Sequence, residues 1–231
     1  LRNFRALALG IGLTLCGLHV PVSGQSAPIQ QAEHKLDTAL RQRMKQRARG
    51  QRHEPQRVIV RVKPNAIAQA QGMFKARGHA VRRFHRLFRT FVIDARNIDE
   101  IAQHPAIESI STDADLQADV DSLPVTTSLL SRTVGSPSSW TGAGIGVAVI
   151  DSGLEPSADF GARITAFYDF TRGGIATAPF DDYGHGTHVA SLIGGSGVLS
   201  SGAYAGMAPN VRFVGLKVLD STGGGRTSDV I

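Results

Sequence analysis

Cysteine is nearly absent from this chain: Cys16 is the only one in 231 residues. Its scarcity excludes a disulfide-stapled scaffold and a thiolate zinc site. Aromatic residues are also few, at 6% with one tryptophan, and none is interleaved with the arginines as a base-stacking motif. With no helix-turn-helix pattern either, nucleic acid is not the expected partner. The one long apolar run, Ala6 to Val20, is short for a membrane span. His185 and His188 stand three residues apart with no glutamate of the H-E-x-x-H kind, so no metal site is read there.

What is present suits a globular protein with many tight turns: 42% hydrophobic residues and 26 glycines. Arg2 and Arg5 precede the Ala6–Val20 run, and Val22-Ser23-Gly24 offers small residues for cleavage. That order predicts a signal peptide over residues 1–24 and a secreted product, extracellular or periplasmic, with no stable membrane anchor after cleavage. A lipid anchor at Cys16 is disfavoured by the large Leu15 before it, and the start at Leu1 in place of Met points to a clipped or misassigned beginning. Charge is uneven along the chain. Residues 33–100 hold 17 Lys/Arg against 6 Asp/Glu, whereas residues 101–231 hold 6 against 13. A basic block joined to an acidic one predicts two units with complementary surfaces.

Residues 25–56 are polar and basic, with Leu36, Leu40 and Met44 at four-residue spacing, and read as a solvated leader with a short surface helix. From Arg57 to Lys63, Val58, Val60 and Val62 alternate with basic residues, predicting a strand with one wet face. A helix from Ile67 to Gly78, two strands within Ala80–Ala95 turning near Arg89-Thr90, a helix capped at Asn97 and a strand from Ile107 complete the module. The order β-α-β-β-α-β over 57–112 is that of a ferredoxin-like α+β unit. Residues 113–139, with Asp113, Asp115, Asp119 and Asp121 followed by Ser, Thr, Pro and Gly, read as a linker with a processing site. Beyond Trp140, the strand Ile145–Ile150 is apolar on both faces, and Arg163–Phe170 and Val211–Leu219 are further strands separated by loops and a helix. The expected class is α/β, a doubly wound parallel sheet over 140–231.

In such sheets functional groups sit beyond the carboxyl ends of the strands, which is where Asp151 falls. The Ser152 and Gly153 amides are placed to orient its carboxylate, as the acid of a hydrolytic triad requires. His185 opens the next helix between Gly184 and Gly186, which carry no side chain to block its imidazole. His188 is expected to pack inward as a structural histidine, and Asp181 and Asp182 to solvate their loop.

Val-Ala-Val-Ile-Asp-Ser-Gly at 147–153, Gly-His-Gly-Thr-His-Val-Ala at 184–190 and Gly-Met-Ala-Pro-Asn at 206–210 together resemble the subtilisin-like serine proteases. The resemblance implies that Asp151 is the triad acid and His185 the general base. It implies that Gly223, Gly224 and Gly225 pair their backbone with an extended protein or peptide substrate, bare glycines allowing the approach. It also implies that residues 57–112 are an inhibitory propeptide acting within the same chain, although their middle turn lacks the Asn-Gly usual there. Calcium is common in the family, but no ligand cluster is legible, and no cofactor is identified.

The sequence departs from the family in one respect. No Gly-Thr-Ser-Met-Ala-type motif or oxyanion asparagine is present, and Gly194-Gly195-Ser196-Gly197-Val198 is not G-x-S-x-G. Loss of the serine alone costs roughly 2 × 10⁶ in kcat in subtilisin. The expectation is that these 231 residues alone, an incomplete sheet with the Asp–His part of a triad, are inactive, while the full gene product is a serine endopeptidase precursor. The alternative is a propeptide-type chaperone or inhibitor without catalytic activity.

Overall fold

The structure, a computed structural model, describes residues 32–46, 55–118 and 140–231. The signal-like segment and most of the stretch 113–139 lie outside these. Among the described residues, no helix is long and apolar enough to cross a membrane.

The first unit is built on alternation. In β1 (Gln56–Val62), Val58, Val60 and Val62 are fully buried while Arg61 stays in water. β2 (Ala80–His85), β3 (Thr90–Ala95) and β4 (Ile107–Thr112) join it in the order β2-β3-β1-β4, with every pairing antiparallel. Helices α2 (Ile67–Ala76) and α3 (Ile98–Gln103) bring Phe74 and Ile101 to the same core as Phe91, Ile93 and Ile110. The rings of Phe74 and Phe91 meet edge to face at 5.3 Å, a geometry that favours the ring quadrupoles. Asn97 caps α3 through its side-chain oxygen, which accepts the Glu100 N–H at 3.2 Å.

The supposed leader is part of this core. Helix α1 (Thr38–Gln46) packs Leu40, with no exposed surface, and partly buried Met44 onto the sheet, and Leu36 bridges to Ile110 of β4. Asp37 secures the joint: its carboxylate accepts the Leu40 N–H at 2.7 Å, as a helix cap, and the Thr112 N–H at 2.6 Å. Lys35 adds bonds to the carbonyls of Ala102 at 2.7 Å and His104 at 3.2 Å. The solvated reading therefore fails over 32–46. The Leu36, Leu40 and Met44 stripe was visible, but its partner lies more than sixty residues away in sequence.

The second unit holds three parallel strands, β6 (Gly146–Asp151), β7 (Ile164–Asp169) and β9 (Arg212–Lys217), with the two-residue strand β8 (Ile175–Ala176) antiparallel at the edge, in the order β6-β9-β7-β8. Helix α4 (His185–Gly194) covers one face, where Val149, Phe167 and Phe213 pack with Phe160, Ala190 and Val211. Gly215 is required here, because a Cβ on it would lie 2.4 Å from the Phe167 ring. The strand 146–151 is not buried on both faces as its apolar run suggests: Ile150 is 50% exposed and Tyr168 on β7 is also exposed. Among the described residues nothing covers that face.

Leu40→Ala is expected to destabilise the first unit by about 2–4 kcal/mol, the cost of a large-to-small core change, measured as a lower urea midpoint. An unchanged midpoint would return α1 to the solvent.

Candidate active site

Parallel strands carry their carboxyl ends to one edge of the sheet, and three ionisable residues line up there. Asp151 of β6 is in register with Lys217 of β9, which is in register with Asp169 of β7. Asp151 is held by its own backbone. Its carbonyl accepts the N–H of Val218 at 2.8 Å and of Leu219 at 3.2 Å, and its carboxylate accepts the Ser152 N–H at 2.6 Å. The Gly153 amide makes no such bond; that glycine instead lies against the Phe180 carbonyl, which a Cβ would approach to 2.2 Å.

His185 is the first residue of α4, and its Nδ1 lies 2.8 and 2.9 Å from the two Asp151 carboxylate oxygens. An ionised carboxylate only accepts, so the partner assigns the proton to Nδ1 and leaves Nε2 with a free lone pair. The ring is about a quarter exposed, so Nε2 can meet a reacting group. The approach depends on Gly186. A Cβ there would fall 2.2 Å from the Gly153 carbonyl oxygen, so only glycine lets the helix start press against the 151–153 turn. Gly184 serves through its backbone: its φ of 97° is left-handed, and a Cβ would meet no atom within 4 Å. Both glycines place the helix; neither acts by clearing space over the imidazole.

Asp181 is the organiser of the loop before His185. Its carboxylate accepts five hydrogen bonds: from the hydroxyls of Ser152 (2.8 Å) and Thr187 (2.5 Å), and from the N–H groups of Tyr183, Gly184 and Thr187. Burial works to raise its pKa, but the Thr187 hydroxyl, the Gly184 and Thr187 N–H groups and the Ser152 hydroxyl outweigh it and hold the carboxyl below the usual range. Asp182 pairs with the Lys217 ammonium at 2.6 Å. Loop solvation is thus the wrong role for Asp181, while Asp182 stays exposed and is paired as well. Ser152 is fully buried and also accepts the Gly186 N–H at 2.9 Å, so its hydroxyl is structural. His188, expected inside, is exposed. Its position two residues before Ala190, about half a turn round α4, places it opposite the covered face.

No group of three or more His, Cys, Asp or Glu side chains able to hold a metal occurs among the described residues. The Asp181 carboxylate is saturated by protein donors, and Asp182 neutralises a lysine. This donor set does not fit calcium, and no step is derived through a metal.

Gly224 and Gly225 lie in β10 (Gly224–Arg226), and Gly223 precedes it with φ 74°. Two of these glycines answer to their own neighbours. A Cβ on Gly223 would lie 2.5 Å from the Tyr183 ring, and one on Gly225 would lie 2.6 Å from the Val218 carbonyl; Gly224 meets only ordinary contacts. Against β10 lies β5 (Asp115–Gln117), antiparallel, with Gly225 opposite Leu116, and the Ala118 N–H continues the ladder to the Gly223 carbonyl at 2.8 Å. Residues 113–118 are therefore docked and not a free linker. Asp113 is buried and accepts both the N–H and the hydroxyl of Ser228 at 2.9 Å, at the start of the short helix α5 (Thr227–Val230).

Lys217 is the group that sequence reading passed over. Its signal was a lysine set among the otherwise apolar residues Phe213–Leu219, and it is 2% exposed.

Because the folded Asp181 carboxyl is depressed, its stabilising effect is complete above the unfolded carboxylate value near ~3.9 and is lost as pH falls through the folded value. Asp181→Asn is therefore expected to be less stable than the unsubstituted chain at neutral pH, with a gap that closes on acidification in urea titrations. A gap independent of pH would contradict this assignment.

The profile of the subtilase family (Peptidase_S8) matches residues 142–231. Serine protease AprX of Bacillus subtilis is 45% identical over 91 residues, covering 39% of this chain and 20% of its own. An alkaline protease of Alkalihalobacillus alcalophilus is 32% identical over 138 residues, covering 60% of this chain and 35% of its own. Among solved structures, fervidolysin of Fervidobacterium pennivorans, described as a keratinolytic enzyme related to subtilisin, shares the fold at TM-score 0.57 with 15% identity, over 80% of this chain and 34% of that one. The chain thus spans between a fifth and about a third of the relatives cited here. Residues 142–231 thus match the subtilase family by profile and are similar in sequence to the serine proteases named above, and the chain shares the fold of a solved subtilisin relative.

Proposed function

We propose that residues 140–231 carry the acid and base of a secreted serine endopeptidase and that residues 57–112, with 32–46 packed on them, are its inhibitory propeptide. The observation that carries this reading is the contact of His185 Nδ1 with the Asp151 carboxylate at 2.8 Å. Asp151 holds the imidazole in the Nδ1–H tautomer and stabilises the imidazolium that forms when Nε2 takes a proton. The proton comes from a serine hydroxyl as its oxygen attacks the scissile carbonyl. His185 then returns it to the leaving amine, and water repeats the cycle on the acyl-enzyme. The N-terminal order of basic, apolar and small residues supports export.

The pairing of β5 with β10 supports both the substrate-binding role of Gly223 to Gly225 and the inhibitory role of the first unit. A peptide that adds a strand to an open edge supplies its affinity through main-chain bonds, and β5 occupies that edge. A second reading, a chaperone or inhibitor acting without catalysis, draws on the polar grip around it. Arg83 pairs with Asp229 at 3.0 Å and Arg226 with Asp115 at 3.1 Å, beside the Asp113 cap on Ser228.

In the enzyme that contains this segment, Asp151→Asn is expected to lower kcat by roughly 10⁴, the effect of a wrong histidine tautomer, with KM little changed. Full activity in that variant overturns the assignment. Residues 25–123 are expected to inhibit a mature subtilase, and moderate salt is expected to weaken the inhibition constant through screening. A salt-independent constant rejects electrostatic docking, and no inhibition rejects the propeptide role.

A further inference from the structure

We propose that Lys217 is a positioning residue that sets the placement of His185 relative to Asp151 and to the glycine strand. This rests on the reading of Asp151 and His185 as a catalytic pair. The Lys217 ammonium has three donors, and all three are used: on the Ser152 carbonyl at 2.6 Å, the Leu219 carbonyl at 2.7 Å and the Asp182 carboxylate at 2.6 Å. Those acceptors belong to three separate segments. Ser152 follows Asp151, Asp182 precedes His185 by three residues, and Leu219 leads into Gly223 to Gly225.

The side chain is 2% exposed, and its ammonium lies 5.3 Å from the centre of the Phe180 ring. An ammonium taken from water is costly to hold unless it is paired and each donor is satisfied. Here that condition is met only when the three segments converge, so displacement of any one is resisted by the others. Two of them are already joined without Lys217, because the Asp151 carbonyl accepts the Val218 and Leu219 N–H groups. The loop 181–183, whose continuation is His185, reaches the 151–153 turn through the Ser152 hydroxyl, and the ammonium adds its tie to the end of β9. Asp182 is 42% exposed at its side chain and would be solvated on its own. Its place on Lys217 is thus a tether on the loop more than a demand of the carboxylate.

The test uses the full 231-residue chain, labelled with ¹⁵N, and follows by NMR the proton that His185 Nδ1 shares with Asp151. Lys217→Met and Lys217→Gln are neutral and keep a stem of similar length against Phe180. In both, exchange of that proton with water is expected to quicken by roughly tenfold or more, as local opening becomes easier, while amide protection across β1 to β4 is unchanged. If the unsubstituted chain lacks the proton, or Asp151→Asn retains it, the catalytic pair is overturned and this proposal with it. If the proton is Asp151-dependent and exchanges at the same rate in the two variants, only the role of Lys217 is overturned. Loss of the folded spectrum of residues 140–231 in both variants overturns it too, since Lys217 then sustains the fold and does not place the pair.

Discussion

The contact between the start of α4 and the turn Asp151–Gly153 is the constraint on which the second unit depends. It is a backbone-to-backbone approach with no room for a methyl group: Gly186 sits where a Cβ would fall 2.2 Å from one carbonyl oxygen and 3.0 Å from the Asp151 side chain. Such an approach gains little by itself. It persists because Ser152 bridges the two segments with one hydroxyl, accepting from Gly186 and donating to Asp181. Asp181 in turn gathers the N–H groups of the incoming loop and of the first turn of α4. The short Asp151–His185 distance rests on this packing together with the Lys217 tie between the same segments.

The joint between the two units has a different character. Apart from the Gly225–Leu116 strand pairing, it is polar: a carboxylate on a helix start, Arg83 on Asp229, Arg226 on Asp115. Each ion pair is partly exposed and individually worth little. What they specify is register, because a strand slipped by two residues would leave Asp113 buried without Ser228.

Much of this was legible in the sequence where a periodic pattern met a nearby partner. Alternation at Val58, Val60 and Val62 suffices for β1, and Asn97 three residues before Glu100 suffices for the α3 cap. The Asp–Ser–Gly and His–Gly–Thr–His segments mark Asp151 and His185, although spacing alone does not bring their side chains to 2.8 Å. The misreadings share a cause. Helix α1 and Asp113 are polar stretches or charges whose partners lie far off in sequence, and Asp181 is closed by its own loop and by Ser152, so composition assigned them to water, while Lys217 was passed over. The apolar run 145–150 erred in the opposite sense, because hydrophobicity in a strand does not say which face is covered.

The two sheets also differ in what their assembly demands of the chain. In the first, β2 and β3 are joined by a short turn, and α2 and α3 each return the chain to the sheet within a few residues. The second can form no parallel ladder until β9 arrives, whether against β6 at Gly146–Arg212 or against β7 at Ile164–Phe213, with β8 and α4 in either intervening loop. Closing so long a loop forfeits chain entropy before any contact is made, and parallel pairing of this kind is slow. The first unit is therefore the one to condense early. By way of β5 it holds out a formed strand edge to β10, which lies only seven residues beyond the end of the last strand of the slower sheet. Contact order alone thus predicts that the antiparallel half forms before the parallel half, with the β5 edge already in place when β10 arrives.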